Sequence, residues 1–125
     1  MVMATLYERL GGDGGIAALV DEIVEAHMRN PQIEARFTPY RDDPAHLEAV
    51  KGHLREFLTS GSGGPGDYHG KSMREAHRGL NISEAEYMAA IDDILAVLDR
   101  HEIDPQTRQK MLGIAYSLKD DIMHV

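Results

Sequence analysis

Apolar side chains in this 125-residue chain recur every three or four positions and nowhere alternate over the length of a strand. That period dictates helices. The longest run is Ile16, Leu19, Val20, Ile23, Val24, His27 and Met28, one face of a helix beginning near Asp13 to Gly15. A second stripe, Leu47, Val50, Leu54, Phe57 and Leu58, follows the start signal Asp43-Pro44 and runs to about Ser60. A third carries Tyr87, Ala90, Ile91, Ile94, Leu95 and Leu98 out to about Arg100. It opens on the capping box Ser83-Glu84-Ala85-Glu86, with Ile82 and Tyr87 placed to pack across the cap. A fourth starts at Asp104-Pro105 and turns Met111, Ala115, Leu118 and Ile122 inward. Shorter helices fill the remainder. Thr5-Leu6-Tyr7-Glu8 caps one that Gly11-Gly12 stops after about two turns. Asn30-Pro31 opens another, with Ile33 and Phe37 on one face and Thr38-Pro39 closing it. The expectation is an all-α chain, residues 1–125 forming one domain.

One stretch departs from this plain amphipathic design. Gly63-Gly64-Pro65-Gly66 breaks the helix before it, and a short helical segment follows with Met73, Ala76 and Leu80 on one face. His77 sits in the middle of that face. Spacing allows two roles for such a histidine: a core imidazole bonded to a main-chain carbonyl, or an axial ligand to a buried metal such as haem iron.

Composition narrows the chemistry. The net charge of −8 leaves no electrostatic footprint for nucleic acid or for an anionic membrane. Cysteine is absent, which removes disulfides, thiolate metal sites and cysteine nucleophiles and leaves the seven histidines as soft-metal ligands. The amino-terminal MVMATLYERLGG lacks the basic and apolar regions of a signal peptide, and no apolar run reaches membrane-spanning length. A cytoplasmic protein is expected. Gly11 to Gly15 joins two helices rather than a strand and a helix, so it is a hinge and not a phosphate loop. HExxH and Glu-x-x-His are both missing, and no serine has a histidine partner by spacing. Asp92-Asp93 and Asp120-Asp121 read as solvated helix surface.

The histidines therefore carry the chemistry. His46 and His53 fall at one margin of the second stripe, and the glycine loop connects His53 to His77. A flat cofactor between these helices would be touched by Val50, Leu54, Phe57, Met73 and Phe37. An apolar slot with one or two imidazoles is what haem requires, though the same residues would serve equally as ordinary core.

The chain resembles the group I truncated haemoglobins over nearly its whole length. The resemblance lies in Thr5-Leu6-Tyr7-Glu8-Arg9-Leu10-Gly11-Gly12, Phe37, Glu56-Phe57-Leu58, Gly63-Gly64-Pro65, Tyr68-x-Gly70, Met73-Arg74-Glu75-Ala76-His77 and Ile82-Ser83. It implies a shortened globin, two helices over two. It also implies His77 as the proximal iron ligand, Phe37 as the aromatic wedged against the haem, and Phe57, Tyr68, Met73 and Tyr87 as pocket walls. On the distal side, positions that often carry a tyrosine and glutamines hold Val24, Val50 and Leu54. The pocket is thus poor in N–H and O–H donors toward a bound diatomic. His53 falls where some relatives bind iron from the distal side, so a second, bis-histidine ligation is expected of it. Its alternative place is the haem edge.

Some relatives attach haem covalently through a histidine in the last helix. The aligned residue here is Leu118, and His124 lies near the terminus, so non-covalent haem b is expected. Lys51, Lys71 and Arg74 are candidates for the propionates, with His46 and His69 as lesser ones. The resemblance implies reversible binding of O2, NO or CO, with nitric-oxide oxidation or peroxidase-like turnover as the accompanying chemistry and a reductase as partner. The alternative is electron transfer or redox sensing by a six-coordinate haem. A monomer or weak oligomer is expected.

Overall fold

The long stripes fold as their period predicts. In the computed structural model, which describes residues 5–66, 68 and 70–125, four helices of thirteen residues or more dominate. In chain order the elements are α1 (Leu6–Arg9), α2 (Gly12–Arg29), a 3-10 turn (Glu34–Phe37), α3 (Thr38–Arg41), α4 (Pro44–Gly61), α5 (Met73–His77), α6 (Glu84–Arg100), α7 (Pro105–Ser117) and α8 (Lys119–Ile122). Helix α2 packs on both α4 and α6, α7 packs behind α6, and α5 rests on α8. The described residues form no strand, only a single parallel bridge between Ile82 and Met123. This is the two-over-two helical architecture. No helix among the described residues is long and apolar enough to cross a membrane.

The core is the α2 stripe closed by α6 and α7: Ile16, Leu19, Val20, Ile23 and Val24 against Val97, Leu98 and Met111, with Leu10 sealing one end. Each such aliphatic side chain contributes about 1.5–3 kcal/mol on leaving water. Thr107 is fully buried there, and its hydroxyl donates to Asp104 at 2.6 Å, so the polar atom is satisfied.

Several boundaries differ from the sequence expectation. Helix α5 ends at His77, so Leu80 lies beyond the helix and is exposed. The segment opened by Asn30-Pro31 becomes helical only from Glu34, as a 3-10 turn. Helix α1 is one turn, because Gly11 and Gly12 both adopt positive φ directly after Leu10. Thr38-Pro39 continues the chain into α3 rather than closing a helix; proline in a first turn forfeits only an amide that would lack a partner there. The last stripe divides at Leu118 into α7 and α8. Ser117 Oγ donates to the Ile114 carbonyl at 2.6 Å and competes for the helical acceptor at the break.

Candidate functional site

The site grows from the glycine loop and its flanks. Helix α4 begins on Asp43, which accepts from the His46 amide, and it ends where Ser62 folds its hydroxyl back onto the Leu58 carbonyl at 2.6 Å. The Gly64 amide donates to Thr59 O at 2.8 Å, and Tyr7 of α1 ties its own amide to Ser62 O at 2.9 Å. The loop is thereby fastened to both ends of the fold's first half. Beyond it, the Tyr68 hydroxyl donates to Lys71 O at 2.7 Å while its ring stands edge-on to Phe57, centroids 5.4 Å apart. Burial, with the charges of Glu56 and Glu75 behind it, raises the Tyr68 pKa, so the phenol stays protonated.

Helix α5 is a single capped turn. Ser72 Oγ accepts from the Glu75 amide at 3.1 Å, and the Glu75 carboxylate reaches back to the Ser72 amide. The sequence signal for this box is Ser72-x-x-Glu75 directly before the short helix. One turn on, His77 Nδ1 lies 2.8 Å from the Met73 carbonyl. A carbonyl only accepts, so Nδ1 carries the proton and the Nε2 lone pair is left for a metal. The bond to Met73 satisfies the core-histidine role and the ligand role equally well at Nδ1; only Nε2 separates them.

The other expected residues are distributed around this imidazole. Val50, Leu54 and Phe57 of α4 and Met73 of α5 are all half-buried. Between α4 and α5 opens a cleft of about 430 Å³ lined by His53, Glu56, Gly70, Lys71 and Glu75. His53 is therefore exposed at the cleft rather than enclosed. Phe37 stacks obliquely on His27 at 5.8 Å and on Tyr40 at 6.0 Å, and Tyr40 meets the edge of His46. Tyr87 is 6% exposed and donates its hydroxyl to the Ala115 carbonyl, which fixes α6 to α7. Val24 is buried in the α2 core.

Of the three expected cations, Lys51 turns to Asp21 of α2 at 3.5 Å, and Arg74 reaches Asp121 of α8 at 3.5 Å. Lys71 is the one that lines the cleft. His69 lies outside the described residues. No trio of histidine and carboxylate side chains capable of caging a metal exists among the described residues. An iron that brings most of its own ligands, as a porphyrin does, suits the single imidazole of His77 with the half-buried Val50, Leu54, Phe57 and Met73. The side chains lining the cleft itself are polar.

Two polar networks escaped the sequence reading. Asp93 is not solvated surface: its carboxylate accepts from His27 Nδ1 at 2.8 Å and from Asn30, and its side chain is 17% exposed. Burial lowers the His27 pKa despite the Asp93 charge, so this imidazole stays neutral. Arg36 grips Glu86 with Nε and Nη2 at 2.7 and 3.0 Å and gives Nη1 to the Leu80 carbonyl. That fork holds Glu86 down at about 2.

Residues 5–124 match the bacterial-like globin family model. A group 1 truncated haemoglobin of Tetrahymena pyriformis is 29% identical over 120 residues, 87% of this chain and 95% of that one. The GlbN protein of Synechocystis is 32% identical, covering 77% of each chain. Among solved structures, truncated haemoglobin of T. pyriformis superposes with a TM-score of 0.87 at 24% identity, over 98% of this chain and all of that one. Haemoglobin of Chloroflexus aurantiacus gives 0.81 at 27% identity, also over 98% of this chain and all of that one. The chain belongs to the bacterial-like globins, within the group 1 truncated haemoglobins.

Proposed function

We propose that the chain holds haem b non-covalently between α4 and α5, with His77 Nε2 on the iron, and binds diatomic gases reversibly on the opposite face. The reading is carried by the globin family match over residues 5–124 taken with His77, whose Nδ1–H bond to Met73 O orients the ring and leaves the Nε2 lone pair for a metal. Globin membership implies haem. Bound haem would supply an iron able to take a diatomic and to exchange electrons.

The chain's own residues do the rest. Phe37, Val50, Leu54, Phe57, Tyr68, Met73 and Tyr87 exclude water from the ring. Lys71 at the cleft meets a propionate; Lys51 and Arg74, already paired with Asp21 and Asp121, contribute charge only by exchanging partners. Leu118, the residue aligned with the attachment histidine of some relatives, cannot form that bond.

On the distal wall, Val24, Val50 and Leu54 donate nothing to a bound diatomic, so O2 is held without a side-chain hydrogen bond unless His53 turns inward. A second reading follows from that placement. His53 shares the cleft with Lys71 and stands at the margin of the α4 apolar stripe, whereas His46 on the same helix packs on Tyr40. His53 would therefore be the side chain able to serve as a second iron ligand. The protein would then serve electron transfer or redox sensing. Nitric-oxide oxidation or peroxidase-like turnover, with a reductase as electron source, belongs to the first reading.

Visible spectra of the ferric and ferrous protein, with and without CO, test both. His77→Ala should lose haem or its axial-nitrogen signature; a spectrum like the parent's refutes the proposal. His53→Ala should convert a low-spin resting spectrum to high-spin under the second reading, and leave it unchanged under the first.

A further inference from the structure

Helix α5 has no buried residue, and five residues make too short a helix to hold its own direction. Its position is set by its packing on α8 and by the segment that follows. Gly79 and Asn81 both take positive φ, and their amides donate to the same oxygen, Val125 O, at 3.1 and 3.0 Å. His124 N returns a bond to Ile82 O at 3.0 Å. Between those ties, Arg36 Nη1 reaches Leu80 O at 2.7 Å, and the Leu80 amide in turn donates to His77 O at 3.1 Å. The other arms of the same guanidinium clamp Glu86, whose Oε1 also accepts the Ser83 amide at the start of α6. One planar cation therefore joins the turn carrying Phe37, the loop carrying the end of α5, and the cap of α6.

We propose that Arg36 is a positioning residue for His77: its three-armed clamp on Leu80 O and Glu86 sets where the imidazole stands relative to the Phe37 turn. This rests on the reading of His77 as the iron ligand. Lysine cannot replace it, because a point charge does not span a carboxylate and a carbonyl in one plane. The effect runs through main chain, so Arg36 needs no contact with haem.

The test has one readout without haem and two with it. In haem-free protein, Arg36→Met should raise amide exchange at Gly79 and Asn81 about tenfold, the order expected when a charge-assisted hydrogen bond is lost. In the haem-loaded protein, the iron–imidazole stretching band should shift in resonance Raman spectra, and haem transfer to apomyoglobin should quicken about tenfold. Arg36→Lys should resemble Arg36→Met in all three. Should Arg36→Met fail to fold, Glu86→Gln, which keeps the Leu80 contact, should move the same readouts in the same direction by less. A variant that melts earlier but keeps the parent's stretching band and transfer rate overturns the proposal. A parent without an iron–imidazole band would instead refute His77 ligation, while the exchange measurement still reports on the clamp.

Discussion

Helices α4 and α6 are near twins in sequence terms, 18 and 17 residues long, each opened by a side-chain cap and each carrying a wide apolar stripe. They are not twins in the fold. Helix α6 buries Tyr87, Ala89, Ile91, Val97 and Leu98, whereas α4 buries none of its residues fully. Packing explains the contrast. Helix α6 lies between α2 and α7, while α4 meets α2 along the edge formed by Leu47, Leu54 and Leu58 and presents Phe57 to the Tyr68 ring. An amphipathic period reports that a face needs cover; it does not say whether neighbouring helices or a bound group supply it.

The sharpest way to break this contrast is to truncate one side chain on each kind of face in haem-free protein. Leu19→Ala in the α2 core should cost about 2–5 kcal/mol in urea unfolding, and Val50→Ala on α4 less than about 1.5 kcal/mol. Equal losses would mean that α4 is as deeply packed as the α2 core that α6 covers.

Asp93→Ala should come next, at about 1–3 kcal/mol, because it strands the His27 ring N–H in a half-buried position. The same pair gives a pH signature. Burial lowers the His27 pKa from 6.5, so the unfolded chain takes up that proton first and stability falls as pH drops below 6.5. His27→Gln should flatten that limb of the stability curve.

A smaller effect appears only in acid. Glu86 is held at about 2 against 4.5, so its contribution is complete above 4.5 and is lost as pH falls toward 2. Acid unfolding of Glu86→Gln should lack that part of the pH dependence. Ser72→Ala is the mildest change: about 1 kcal/mol of local stability, read as faster amide exchange within Met73–His77 with little shift in Tm.

What the sequence made legible divides along the same line. Stripes, caps and prolines are local signals, and they placed α2, α4 and α6 within a few residues and His77 on its short helix. The Ser72-x-x-Glu75 box is equally local, but it sits in a stretch whose glycines are the stronger signal. Asp93 paired with His27 across 66 positions, Lys51 turned to Asp21, and Arg36 gripping Glu86 50 positions away are different in kind. Each depends on which helix lands beside which, and no periodicity carries that information. In none of the three cases is the partner written in the residue's own neighbourhood, and for Asp93 even the face is misjudged.

At the elbow between α1 and α2, a Cβ on Gly15 would stand 2.2 Å from the Leu10 carbonyl oxygen, inside any tolerable approach. Even alanine there would force the two helices apart. Tyr7, anchored on Ser62 O and Asp13, would be dragged with the first of them, loosening the far end of α4. A hydrogen atom at position 15 thus governs the alignment of a loop nearly fifty residues downstream, and divergent copies of this chain should be least free to drift at that point.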